Sequence, residues 1–302
     1  MSRNRTTTFS FELLSQKFNE LEGYYNISNF ELGKALESWN LSDQEHRQND
    51  EIIANYLKWS FTASFLQLIN ALQWFLSGIL LGRQAFLPAQ TMQMYYYSIF
   101  FSYGSFLSAQ FKGHYTIKEE FQGTRVQKTR REVWLEENNN EICLEIKNKG
   151  KGGEHEIRAN WFYEVFKDWD FKDSYPNVSC FDDDTGFHSR FRNKYTYALD
   201  NIAEELYTVP DGRSSPSNEI LIALWNRDTE CAESYPEEFW ALENIKIVVD
   251  LHTKFLVKYD KSPPYKQAQN QLVKSLCTHH TNTELVEVLR EIMPTILQYA
   301  RD

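Results

Sequence analysis

Between Asp50 and Gln84 apolar positions dominate, and from Trp59 to Gly82 there is no charged residue. Polar side chains still recur every three or four positions through that run: Ser60, Ser64, Gln67, Asn70, Gln73 and Ser77. The pattern predicts one long helix from about Asp50 to Gln84, with Pro88 just beyond its end. The uncharged run is long enough to cross a bilayer. Its repeated hydroxyls and amides instead favour a core helix that hydrogen-bonds to its neighbours. A second helix follows from about Ala89 to Phe111, dense in Tyr95, Tyr96, Tyr97, Phe100, Phe101, Tyr103 and Phe106. The short connection makes the two an antiparallel pair, and rings this dense serve core packing.

The first fifty residues are mixed and amphipathic, with short helices expected around Phe11 to Leu21 and Phe30 to Trp39. Ser42-Asp43-Gln44-Glu45 has the cap-plus-acid spacing of a helix start. The texture changes after Gly113. Glu132 to Glu136 and Ile142 to Lys147 read as two strands around an Asn138-Asn139-Asn140 turn, with Ile142, Leu144 and Ile146 alternating against Cys143, Glu145 and Lys147. Lys149-Gly150-Lys151-Gly152-Gly153 closes this piece but lacks the ending of a phosphate-cradling loop. Helices are expected again at Asn160 to Trp169, Ser189 to Leu206, Asn218 to Arg227, Pro236 to Tyr259 and Asn282 to Tyr299, with a polar loop from Asp173 to Thr185. The fold class that results is mainly α, a helical bundle with a small β-hairpin insertion. Residues 1–112 form an N-terminal helical part with the long antiparallel pair, 113–158 the insertion, and 159–302 a C-terminal helical part.

Composition supports a well-packed protein: 42% of the 302 residues are hydrophobic, enough for one large core or two modest ones. A net charge of −10 argues against nonspecific duplex binding. Local basic runs at Arg125, Lys128, Arg130 and Arg131, at Lys147, Lys149 and Lys151, and at Arg190, Arg192 and Lys194 still offer a place for a short RNA or DNA segment. Cys143, Cys180, Cys231 and Cys277 form no CxxC pair, and the N-terminus has no apolar signal region, so a reduced cytoplasmic protein is expected. There is no Walker loop, G-x-S-x-G elbow, dinucleotide fingerprint or HExxH.

Chemistry concentrates at Arg190-Phe191-Arg192-Asn193-Lys194-Tyr195-Thr196-Tyr197. Asn193 and Tyr197 are four apart and share a helix face, and Arg192 in the first turn can swing to the same side. A guanidinium there neutralises a phosphate and the amide orients it. Tyr197, with a reference pKa near 10, makes a poor general base. His188 and Arg190 flank the motif as auxiliaries. Three further clusters read as structural. Glu145-Ile146-Lys147 has the acid-x-Lys spacing of a Mg²⁺ nuclease, with Glu132 or Glu136 as the second acid, but too few strands surround it. Asp182-Asp183-Asp184 reads as a solvated loop, and Cys277-Thr278-His279-His280 lacks the ligands to complete a zinc site.

The aromatic helix pair, Ala54 to Gly82 and Tyr95 to Leu107, followed by Arg192-Asn193, resembles the HEPN superfamily. That family carries an Arg, often followed by a polar residue, and a His four to six residues later. Here Tyr197 stands where the His belongs. The resemblance implies metal-independent endoribonuclease activity, in which the 2′-hydroxyl attacks the adjacent phosphate at a site composed by two motifs in a dimer. It also implies a toxin or effector of antiviral defence or of a toxin–antitoxin system. By the same resemblance Arg192 stabilises the phosphate, Asn193 positions it and Tyr197 relays a proton. Expected partners are RNA and a protein of the same system, in a homodimer or hetero-complex, with no membrane, cofactor or metal. The alternative is a noncatalytic HEPN-like subunit or adaptor acting by protein–protein contact.

Overall fold

The computed structural model describes residues 50–84, 88–121, 125–138, 141–148, 154–169, 171–175, 178, 215–258 and 283–292. Helix α1 spans Asp50–Gln84 and α2 spans Pro88–Ala109. They run antiparallel: Ser98 Oγ donates to the Ala71 carbonyl at 2.8 Å, and the Phe75 and Tyr95 rings lie 5.7 Å apart. Gly78 permits this approach, since a Cβ there would lie 2.7 Å from a Tyr95 ring carbon. The segment Ala63–Arg83 meets the length and hydropathy of a membrane span, but 50% of it is buried inside the fold. Its polar positions behave as those of a core helix. Ser64 is fully buried and bonded across the pair, and Gln67 Nε2 donates to Ser108 Oγ at 3.1 Å.

Helix α2 ends at Ala109, two residues before the sequence expectation, because the chain turns at Phe111 through a left-handed conformation (φ 56°). Phe111 is buried, and its carbonyl accepts from the Tyr56 hydroxyl, which also reaches the Val133 carbonyl at 2.9 Å. Burial raises the Tyr56 pKa well above the ordinary phenol value, so it remains a neutral donor tying the start of α1 to the sheet.

The insertion is a three-stranded antiparallel sheet in the order β1-β2-β3, in which the expected hairpin is β2–β3 and β1 is added at its edge: β1 Lys112–Phe121, β2 Arg125–Asn138 and β3 Glu141–Asn148. Register puts Leu135 opposite Leu144 and Val133 opposite Ile146, and Val133, Leu135 and Leu144 reach the core. Strand β1 escapes sequence reading because His114, Thr116, Lys118, Glu119 and Glu120 leave it no run of apolar alternation.

Helix α3, Glu154–Lys167, begins six residues before the expected Asn160, since its polar first turn hides the start. It runs parallel to α2 along a ladder of rings. Phe100 meets His155, Tyr103 stacks on Phe162 at 4.0 Å, and Phe106 contacts Phe162, Phe166 and Trp169. Such pairs add about 0.5–1.5 kcal/mol each beyond area burial.

The C-terminal helices are α4 Asn218–Trp225, α5 Thr229–Ser234, α6 Pro236–Lys258 and α7 Thr283–Ile292. Arg83 at the end of α1 holds the entry to α4, donating to the Pro216 carbonyl at 2.6 Å and to Asn218 Oδ1 at 3.0 Å. Ser217 and Asp228 cap α4 and α5. Helix α6 packs on α1, α2 and α4, and α7 on α4. The architecture is mainly α with a small sheet. The helices expected at Phe11 to Leu21, Phe30 to Trp39 and Ser189 to Leu206 lie outside the described residues.

Candidate functional site

Arg192, Asn193 and Tyr197, with His188 and Arg190, lie outside the described residues, as do Asp182-Asp183-Asp184, Cys277 to His280 and the Lys149 to Gly153 loop. Glu145-Ile146-Lys147 lies within β3. Glu145 pairs with Trp134 and Lys147 with Glu132, so Glu132, Glu136 and Glu145 share one face of the sheet. Among the described residues no group of three His, Cys, Asp or Glu is placed to hold a metal ion.

The described residues do assemble a polar–aromatic surface where α3 begins beside α2. Phe100 is its centre. The His155 imidazole stacks on that ring at 4.2 Å, and the Arg158 guanidinium carbon lies 3.9 Å from its centroid. His155 and Arg158 are three apart on the first turns of α3, which places both on one helix face. The Tyr96 hydroxyl lies 2.7 Å from His155 Nδ1. With neutral imidazole the phenol donates to Nδ1 and the proton sits on Nε2; protonated imidazole donates to the phenol oxygen instead. Tyr97 continues the surface, edge-on to Tyr96 and 4.8 Å from Trp74 of α1.

Arg158 is oriented from below. Its Nη1 donates to Gln67 Oε1 at 3.2 Å, and both side chains fill space left by Gly104. A Cβ on Gly104 would fall 1.8 Å from Gln67 Oε1 and 2.7 Å from Arg158 Nη1, so glycine is what admits the pair. Trp74, Tyr97, Phe101, His155, Arg158 and Trp161 are all half-buried. The surface therefore combines π faces, a fixed cation and an imidazole, the chemistry that engages bases and phosphates. Sequence reasoning misses it because Tyr96 and His155 lie far apart in the chain. The available signal is Gly152-Gly153 before Glu154, with Ile157, Trp161, Phe162, Val165 and Phe166 at helical spacing.

A second cluster joins the α4–α5 corner to α6. Arg227 Nε lies 2.9 Å from Glu243 Oε1, an ion pair in which the N–H is not aligned on the oxygen. The Arg227 guanidinium carbon is 4.9 Å from the Tyr175 ring centroid, and the Tyr175 hydroxyl donates to Asp250 Oδ2. Burial first, then the bond to Asp250, raise the Tyr175 pKa well above the phenol range. Lys246 lies 4.2 Å from the Trp225 ring centroid, and burial lowers its pKa. Glu243 is only 2% exposed, so this arrangement is a structural lock rather than an open site. His252 is fully buried too, where desolvation lowers its pKa to about 3 and keeps it neutral.

No protein-family model, curated protein or solved structure matches this chain.

Proposed function

We propose that this protein is a HEPN-like, metal-independent RNA-cleaving effector or toxin of a bacterial antiphage defence or toxin–antitoxin system. The observation that carries the reading is the aromatic antiparallel α1–α2 pair with the His155–Phe100–Arg158 surface upon it. The half-buried His155 and Arg158, packed on the buried Phe100 ring, and the half-buried Tyr97 and Trp74 rings suit an RNA segment, in which each base has a π face and each linkage an anionic phosphate. In this reading Arg192 stabilises the crowded phosphate as the 2′-hydroxyl attacks, Asn193 positions it, and Tyr197 relays a proton. His155 and Arg158 contact the same RNA. The active species is a homodimer or hetero-complex, since one motif offers too few groups for both proton transfers. The cytoplasm is the compartment that supplies the RNA.

Tyr197 in the His position favours a second reading, a noncatalytic adaptor working by protein–protein contact. Incubation of the purified protein with total RNA, with and without EDTA, separates the two. The effector cleaves with chelator present, and Arg192→Ala abolishes cleavage without lowering the melting temperature. Intact RNA from the native chain selects the adaptor, and full activity in Arg192→Ala rejects the motif.

A further inference from the structure

The insertion carries a feature that the His155 surface does not use. Strand β1 pairs with β2 continuously from Lys112 opposite Trp134 to Phe121 opposite Arg125. Strand β3 pairs with β2 only from Asn138 to Arg131. Beyond Arg131 the sheet is therefore a two-stranded ribbon of six residue pairs, from Thr116 opposite Arg130 to Phe121 opposite Arg125. At ~3.4 Å per residue it extends about 20 Å past the three-stranded part.

Charge is distributed unevenly on this ribbon. Residues 116–121 and 125–130 hold four basic side chains (Lys118, Arg125, Lys128, Arg130) and two acidic ones (Glu119, Glu120), a net of +2 within a chain of −10. Register sharpens the contrast. Lys118 stands directly opposite Lys128, and Thr116 opposite Arg130, so Lys118, Lys128 and Arg130 occupy one face as adjacent positions. Like charges directly opposite destabilise a strand pair, and an isolated two-stranded ribbon is marginal in water even without them. A bound polyanion would remove the repulsion and turn the juxtaposition into affinity.

We propose that the Thr116–Phe121/Arg125–Arg130 ribbon is a docking surface for single-stranded RNA, with Lys118, Lys128 and Arg130 on the phosphate backbone. Residues two apart on a strand lie about 7 Å from one another, which lets Lys128 and Arg130 engage successive phosphates of an extended strand. The two-stranded form suits a single strand, because the major groove of A-form duplex RNA is too deep and narrow to admit it. Contacts of this kind carry no sequence information and release counterions, so binding is strongly salt-dependent. The assignment rests on the RNA-directed reading above: the ribbon captures the strand and the Arg192 motif cleaves it.

The test uses the full chain and a labelled 20-nucleotide oligouridylate, with fluorescence anisotropy across a NaCl series and a parallel cleavage assay. The Lys118→Gln/Lys128→Gln/Arg130→Gln variant is expected to bind at least about tenfold more weakly. Its log–log salt slope should be shallower by about 2, three contacts at about 0.7 each. Lys118→Gln alone removes the facing charge pair, so its melting temperature should hold or rise while binding weakens. That combination separates a docking role from a folding role. A variant that binds as the native chain does, with an unchanged salt slope, overturns the ribbon assignment, whether or not the protein cleaves. Binding of RNA that depends on the ribbon but gives no cleavage supports the assignment and removes the nuclease. Preference for an anionic phosphatidylserine vesicle over RNA also overturns it. Equal binding of the matching deoxyuridine oligomer supports the phosphate contacts.

Discussion

Ser64 and Ser105 exchange hydrogen bonds across the α1–α2 interface, each hydroxyl donating to the other residue's backbone carbonyl, at 2.7 Å and 2.6 Å. Because the Ser64 proton is committed to Ser105, its oxygen accepts from His252 Nε2 at 2.9 Å. The serines thus fix the neutral Nε2–H tautomer of His252 and join α1, α2 and α6 at one buried point.

Removing either serine should be costly for that reason. Ser64→Ala deletes one donor and the acceptor for His252, and should lower stability by about 1–3 kcal/mol. Ser105→Ala should cost about as much, and the double variant less than the sum, since both act in one network. Urea denaturation of the three variants measures this. Strict additivity would mean that the two bonds are independent.

His252 also sets a pH response. Its folded pKa is about 3 against an ordinary 6.5. Above pH 6.5 both folded and unfolded chains hold it neutral, and it adds no pH dependence. As pH falls from 6.5 towards 3 the unfolded chain takes up a proton that the folded chain refuses, so stability drops by up to about 1.4 kcal/mol per unit. His252→Gln keeps a donor but cannot titrate. Its stability should decline less steeply between pH 6 and 4.5, and parallel curves for the two proteins would contradict the assignment.

Arg227 occupies the left-handed position after α4 (φ 65°), where its N–H bonds to the Leu224 carbonyl and that of Asp228 to Ala223. Glycine is favoured at such a position. Arg227→Gly should relieve about 1 kcal/mol of backbone strain, yet remove the guanidinium facing the buried Glu243 carboxylate, a loss of about 3–5 kcal/mol. The net effect should be destabilising in thermal melts and partly restored by adding Glu243→Gln. A more stable Arg227→Gly protein would show that the ion pair contributes nothing.

Two glycines on the helix pair should respond differently to alanine. At Gly78 the new Cβ would strike the buried Tyr95 ring at 2.7 Å, and repacking should cost about 1–3 kcal/mol. At Gly104 it would meet the movable ends of Gln67 and Arg158, which can swing away. Gly104→Ala should cost only about 1 kcal/mol while displacing Arg158 from the Phe100 ring and weakening RNA binding. Calorimetry and RNA titration on both variants check the order, which the opposite ranking would refute.

The sequence discloses best what a single helix or strand encodes by itself. The helix expected from about Asp50 to Gln84 matches α1, and the serines and glutamines spaced along its uncharged run announce a helix bonded to neighbours. Ile142, Leu144 and Cys143 show β3 through alternation. Strand β1 stays hidden because its place depends on pairing with β2 rather than on its own pattern. The first turn of α3 is polar, so Asn160 looks like its start. The site residues are less legible still. His155 gains meaning only beside Tyr96 and Phe100, and Arg227 only beside Glu243, contacts made by the fold and not by spacing.

The central claim is 2′-hydroxyl chemistry on RNA without a metal, and end-group analysis of the products tests it most directly. Digestion in EDTA followed by 3′-end mapping should find 2′,3′-cyclic phosphates and 5′-hydroxyls, and none with Arg192→Ala. Fragments bearing 5′-phosphates, or RNA left whole by the native protein, would contradict it.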